Sequence, residues 1–533
     1  MRYLFGVIFY LITYISVFAA DYPAHRGDSQ WGFDAIAVPS DTYVVNDADG
    51  STIDRYMFRH NGDIVINVPI RRYVGPTDGN GYLQNVDALI EKGVVGETVN
   101  IYMPAYDVDE GRYPVFDCDG DYVYDQLYDE VNEVYFNGEK LGKFRGQNQR
   151  WFQQTFTIPV SKLKFPSNKG GVGSNEVRVK IDVANSDVVL SSGQVGCVVW
   201  ATEVDWVGIQ FKTASPIVLV HGIRSDGDAL SNLKDGFEAA HLLADNSIKL
   251  NDRPAPSEFP VGCGNELYNQ SIAYNVEQLK TKIPAIAKEF GTTSVNLVTH
   301  SKGGLDSRGF LSATRGENAI KVQVGTMSGQ PVMHKLKTNS LITLNTPHKG
   351  SVLATYGVEA RQMTDANAEN SGNIFLFKGV KAIEGSYYCD LTPRRASAFV
   401  STTMLPNGIG TASVATSADA NNNRRIDNEE GEGFYFNFAA DISHHAVGWV
   451  SDVTVDVIPS DSWYLPDEVR VNRVFNDRFM TNDAIVTQDS ASQYSRYTNI
   501  NNLNHLNVHK LSTAEAIAKD AQSTNGLVNW RAK

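Results

Sequence analysis

Cysteine is scarce: the chain has four in 533 residues, at Cys118, Cys197, Cys263 and Cys389. So few crosslinks cannot be the scaffold of a chain this long, and no C-x-x-C spacing points to zinc. Positive charge is also in deficit, with 47 Lys+Arg against 61 Asp+Glu and a net charge of −14. Nucleic acid is therefore excluded as a default partner, as is an anionic membrane surface held by charge alone. After the first 20 residues no uncharged run approaches membrane-spanning length. With 44 Gly and 19 Pro, the chain is neither collagen-like nor low-complexity. What is there is 42% hydrophobic and 20% charged, a globular composition whose length admits about three compact units or fewer.

Residues 1–20 carry one charge, Arg2, then an apolar run from Leu4 to Phe18 and the small pair Ala19-Ala20 before Asp21. That is the pattern of a secretory signal peptide. The alternative is an uncleaved anchor helix, for which the run is short against the ~20 residues a span needs. The expected product is secreted, extracellular or periplasmic, with no transmembrane anchor after signal removal. An oxidising compartment allows two disulfides in three connectivities. Domain logic favours Cys118 with Cys197 and Cys263 with Cys389.

From Asp21 to Lys212 short β-type runs recur, at Asp63–Pro69, Glu133–Phe136, Trp151–Pro159, Glu176–Val183 and Val204–Phe211. Turn signals separate them, including Asn137-Gly138, Gly146-Gln147-Asn148 and Asn168-Lys169-Gly170-Gly171. This predicts an antiparallel sandwich over residues 21–212. The stretch from Val134 to Gly142, with Trp151, Asn175-Glu176-Val177 and Asp205-Trp206, resembles the galactose-binding-like jelly rolls appended to many secreted hydrolases. That resemblance covers about 80 residues and implies a carbohydrate or other surface ligand as a partner.

After the punctuation Thr213-Ala214-Ser215-Pro216, strands alternate with helical periods, which predicts an α/β domain with a mostly parallel sheet over residues 213–533. Ile217–Val220, Val295–Val298 and Leu341–Leu344 read as buried strands. Ile272, Val276, Leu279, Ile283, Ile286 and Phe290 step by three or four along one helix face, and Pro284 predicts a kink or an early end. Within this domain a buried strand runs into Thr299-His300-Ser301-Lys302-Gly303-Gly304. A strand-to-helix turn that exposes a serine needs small residues two before and two after it. Gly303 meets that need and Gly304 lets the helix approach the sheet, while Thr299 replaces the first Gly of G-x-S-x-G. The strand ending at Val220 leads into His221-Gly222-Ile223, the place from which such a fold supplies one backbone donor to an oxyanion. The backbone N–H groups of Ile223 and Lys302 are the expected oxyanion hole. Triad order then requires an acid and a base downstream, and we assign Ser301 as nucleophile, Asp483 as acid and His505, 22 residues further on, as base.

These segments, together with Leu344-Asn345-Thr346-Pro347-His348-Lys349-Gly350-Ser351 and Asn504-His505-Leu506, resemble the secreted bacterial lipases of the α/β-hydrolase superfamily over residues 216 to 508. The resemblance implies the same triad, an acyl-enzyme, and a lipid or other apolar ester as substrate, with no cofactor for catalysis. Asn507 stands where those lipases often carry an Asp that helps bind a structural calcium. An acyltransferase, an amidase or a polyester hydrolase would use the same serine. A non-catalytic hydrolase-fold binding protein would need a broken triad.

Four weaker signals complete the reading. Asp419, Asn421, Asn423, Asp427 and Glu430 place oxygens at positions 1, 3, 5, 9 and 12 of an EF-hand-like loop, a structural calcium site. Arg424 replaces the Gly normally found at position 6, and a polar surface turn is the alternative. Asp107, Asp109 and Glu110, with Asp117, Asp119 and Asp121, form a second acidic cluster, either a solvated face or a calcium site. The segment Val352–Met404 suits a lid over an acyl pocket or an ordinary surface excursion. Ser512-Thr513-Ala514-Glu515 reads as a capping box, while His300 and His348 read as packing or hydrogen-bonding residues and His444-His445 as a weak metal pair.

Overall fold

The computed structural model describes residues 43–45, 55–59, 62–110, 113–116, 122–128, 130–147, 150–184, 188–189, 195–196, 201–205, 207–223, 225–250, 271–327, 330–351, 354, 389–416, 457–459, 466–469, 486, 488–497, 503, 505 and 507–532. The signal segment and the histidine pair at 444–445 lie outside them.

The N-terminal part is antiparallel β. Val95–Tyr106 anchors a six-stranded sheet, pairing with Trp151–Pro159, Val207–Thr213 and Ala201–Val204. A four-stranded sheet runs Ile64–Ile70, Gly173–Lys180, Glu133–Phe136, Glu139–Lys143. Strict alternation explains their sidedness: Ile64, Ile66, Val68 and Ile70 are buried while the intervening residues are not. The inward residues of both sheets, such as Ile66, Val177, Ile101 and Ile209, share one continuous core. At Asn137 (φ 50°) and Gly138 (φ 85°) the chain turns back on itself, the pair of positive φ values that a tight hairpin requires. The expected run Val204–Phe211 is two strands, because Asp205, wholly buried, donates its N–H to the Pro104 carbonyl and interrupts the ladder.

The C-terminal part is built on five parallel strands, here labelled β1 (Ile217–Val220), β2 (Ala244–Asp245), β3 (Ser294–His300), β4 (Lys337–Leu344) and β5 (Gly410–Val414). Their spatial order is β2-β1-β3-β4-β5. Both faces are covered, so the strands are apolar on both sides. Ile217, Leu219, Ile342 and Leu344 face the core formed with α1 (Ser231–Ala239) and α5 (Leu511–Ala521). Val218, Val220, Leu297 and Leu341 face that formed with α2 (Ile272–Glu289) and α3 (Lys302–Ala313). This is an α/β-hydrolase-like arrangement. The strand order reverses between β1 and β3, and a crevice at the carboxyl ends of those two strands is where an open α/β sheet binds ligands.

Two local expectations are corrected. The α2 helix does not end at Pro284 but continues to Glu289. An interior proline costs about 3 kcal/mol, whereas burying Ile283, Ile286 and Phe290 contributes about 1.5–3 kcal/mol each, so packing wins. The capping box is not formed: α5 starts at Leu511, its N-cap is Lys510, and no side chain caps it, leaving Ser512 inside the first turn.

The two parts meet at the amino-terminal edge of the parallel sheet. Buried Arg72 donates to Thr213 Oγ1 (2.9 Å) and to the carbonyls of Phe290 and Ala214. Lys169 pairs with Asp245 at 2.6 Å. That edge is opposite the strand ends that carry the site. No helix of the described residues is long and apolar enough to cross a membrane.

Candidate active site

β3 ends at His300, and the chain turns sharply at Ser301 (φ 52°, ψ −130°) before entering α3. A non-glycine residue in that region stores about 1–3 kcal/mol of strain and persists only where its surroundings over-determine it. They do so here. The Ser301 N–H donates to the Leu344 carbonyl at the end of β4 (2.9 Å), and the Ser301 carbonyl accepts from Gly304 N–H (3.1 Å). A Cβ at position 303 would lie 2.4 Å from the His221 carbonyl oxygen, and one at 304 would lie 2.1 Å from Thr346 Oγ1. Both glycines are therefore dictated by close approach. Thr299 is fully buried and its hydroxyl donates to the Ile342 carbonyl at 3.2 Å, so the missing first Gly is absorbed by a hydrogen bond to β4.

His505 reaches the elbow from 204 positions away, with Nε2 2.9 Å from Ser301 Oγ and only 5% of the residue exposed. Its loop leads through the turn Asn507–His509 into α5. The α5 helix packs on α1 so tightly that a Cβ at Gly236 would lie 2.6 Å from Cβ of Ala514. The serine thus comes from the sheet and the histidine from a helix layer fixed against the same core.

On the other side of Ser301 stands His221-Gly222-Ile223, at the end of β1. The Leu250 N–H donates to His221 Nε2 (3.0 Å). A backbone N–H only donates, so Nε2 is the bare nitrogen and Nδ1 carries the proton given to the Gly222 carbonyl (2.8 Å). With no cis peptides, the N–H of Ile223 points away from that carbonyl. Lys302, as the first residue of α3, has an N–H with no intrahelical acceptor. The Lys302 side chain folds back into the protein, its Nζ 2.6 Å from Asp306 Oδ1, with both side chains at most 2% exposed. Asn275 of α2 donates to the other Asp306 oxygen at 2.8 Å. Burial holds the Asp306 carboxyl up at about 6, against the pull of Lys302 and Asn275.

Three further imidazoles are kept neutral. Burial pushes His300 well below its ordinary value, helped by the neighbouring His509 and His505; burial pushes His509 down to about 4 and His348 down to about 3. His300 and His348 are thus packing and hydrogen-bonding residues, His348 against Thr343 Oγ1 at 3.3 Å. Sequence reasoning passed over Asp306, Asn275 and His509. The i,i+4 spacing of Lys302 and Asp306 on a helix was the available signal for the first; nothing in the sequence pointed to the others.

Of the expected site residues, Ser301, His505, Lys302 and Ile223 are described. Asp483 and the loop residues Asp419, Asn421, Asn423, Asp427 and Glu430 lie outside the described residues. Among the described residues no group of three or more His, Cys, Asp or Glu side chains is arranged to hold a metal. Cys389 is disulfide-bonded, and the other three cysteines lie outside the described residues. Much of 352–404 is likewise outside them. Its described end forms α4 (Pro393–Thr402), which Arg308 of α3 ties down through the Val400 and Thr403 carbonyls. Ile223, Phe399 and Val400 pack on an apolar cluster of Ile272, Val276, Leu305, Ala354, Leu391 and Ala396.

No family model matches the chain, and no curated protein matches it. Among solved structures, it is similar to the mature form of the Bacillus licheniformis lipase BlEst2, with 20% identity over 56% of this chain and 88% of that one, TM-score 0.32. It is similar to lipase 1 from Pelosinus fermentans, with 13% identity over 57% and 98% of the two chains, TM-score 0.32. It is also similar to the Staphylococcus hyicus lipase, with 12% identity over 58% and 95%, TM-score 0.30.

Proposed function

We propose that this chain is a secreted serine ester hydrolase of the lipase or carboxylesterase kind, with an all-β sandwich domain ahead of its catalytic domain. The observation that carries the reading is the contact of His505 Nε2 with Ser301 Oγ at 2.9 Å on a strained strand-to-helix turn. In this reading His505 takes the hydroxyl proton as Ser301 attacks the ester carbonyl, and Asp483 orients the imidazole and stabilises the imidazolium. The oxyanion is received by the N–H groups of Ile223 and Lys302. His505 then protonates the leaving alcohol, and water releases the acyl group. The apolar cluster beside Ile223 favours an apolar acyl or alcohol group. Calcium at Asp419–Glu430 would be structural, and a chelator should then lower the melting temperature of the wild type more than that of Asp419→Ala.

The test is an activity profile on p-nitrophenyl esters from C2 to C16, a triacylglycerol and an amide, with Ser301→Ala as control. Ester turnover that disappears in the variant supports the reading. Near-wild-type turnover in Ser301→Ala removes it.

A further inference from the structure

The search turns on a buried imidazole beside the proposed base that the mechanism above leaves unused. His300 is 4% exposed, and its Nε2 lies 2.9 Å from the main-chain carbonyl oxygen of His505. A carbonyl only accepts, so the His300 proton sits on Nε2 and Nδ1 is bare. Nδ1 is buried with no hydrogen-bond partner in the structure. It faces the Gly222 backbone, where an added Cβ would lie 3.3 Å from it. The ring is also clasped by imidazoles: His509 stands edge-on with centroids 4.0 Å apart, and the His505 ring lies at 4.9 Å. One residue therefore belongs to the nucleophile's strand by its backbone and to the base's loop by its side chain.

We propose that His300 is a positioning residue that sets the distance between His505 and Ser301, holding the base loop through an Nε2–H donated to the His505 carbonyl. This rests on the assignment of Ser301 and His505 as nucleophile and base. The physical need is plain. His505 lies in an irregular turn 205 residues from His300, and no strand ladder fixes its carbonyl. An unmet buried carbonyl costs about 1–3 kcal/mol, and a misplacement of about 1 Å in a reacting pair can cost about 100-fold in rate. The proton on Nε2 rather than Nδ1 matters twice. It makes the bond to the loop, and it leaves the Gly222 side of the ring free of a hydrogen that would crowd the oxyanion turn.

The test compares His300→Phe, which keeps a ring but has no donor, with His300→Gln, whose amide nitrogen is the same number of bonds from Cα as Nε2. In wild type, Ser301 should react with a fluorophosphonate ester and the protein should hydrolyse p-nitrophenyl esters. If it does neither, the hydrolase reading itself falls. Given an active wild type, His300→Phe should lower kcat by about 10- to 100-fold with KM changed less than about twofold, and His300→Gln should restore most of kcat. Wild-type kcat in His300→Phe, a change confined to KM, or a Gln variant as slow as the Phe variant would each overturn the positioning role. Should His300→Phe not fold, ¹⁵N imidazole spectra of the wild type decide: His300 protonated at Nε2 supports the proposal, and protonation at Nδ1 overturns it.

Discussion

The antiparallel and parallel parts of the molecule bury polar groups under different constraints. In the antiparallel sheets one face of each strand meets the core and the other can meet water, so a buried charge is an exception. Glu130 and Asp109 are such an exception: the Asp109 N–H donates to Glu130 Oε2 at 2.8 Å, and burial followed by the charge of Asp107 lifts the Asp109 carboxyl to about 7. In the parallel sheet both faces are covered, so polar residues are pushed to strand ends. There Ser301, His505, His300, His221, Lys302 and Asp306 gather where β1 and β3 diverge. A buried polar group can be an isolated liability in the first part. In the second it belongs to a network in which most members have named partners.

Breaking the chemistry of the network should have the largest effect. Ser301→Ala is expected to lower ester turnover by about 10⁴-fold or more with the fold retained, measured as kcat on a short p-nitrophenyl ester alongside a circular dichroism melt. Next is the ion pair beneath it. Asp306→Ala leaves Lys302 charged, unpaired and buried, so unfolding free energy should fall by about 3–5 kcal/mol. A denaturant titration showing a loss below about 1 kcal/mol would mean that Lys302 finds another partner or reaches water.

The smallest effect sharpens the other side of the comparison. Asp109 has its folded value raised to about 7 from an ordinary 3.8. Between those two values the folded state binds more protons than the unfolded one, so this contribution is fully present below 3.8 and is lost as pH rises through 7. Asp109→Asn keeps the side chain neutral at all pH. Its melting temperature relative to wild type should therefore be higher at pH 8 than at pH 4, and an equal difference at both would show that Asp109 is not the titrating group.

Much of the local structure was legible. Glu133–Phe136, Trp151–Pro159 and Ile217–Val220 fall where alternation and apolar runs place them, because a two-residue period and a turn residue act over a few positions. The elbow was legible as well, since Gly303 and Gly304 are short-range steric demands. What escaped was set by packing at a distance. Pro284 sits inside α2 because cores on either side of it outweigh one lost hydrogen bond, and Ser512 fails to cap because α5 is fixed two residues earlier by its packing on α1.

The sequence by itself determined the order of strands and helices, the turn at Ser301 and the small set of histidines from which a base could come, because these follow from periodicity, backbone sterics and chain order. Only the tertiary structure decided that His505 lies 2.9 Å from Ser301, that His300 grips the His505 carbonyl while His221 orients Gly222, and that Lys302 is paired inside the protein. Hydrogen bonds between residues some 200 positions apart depend on how sheet and helix layers close on one core, and no local pattern encodes that distance.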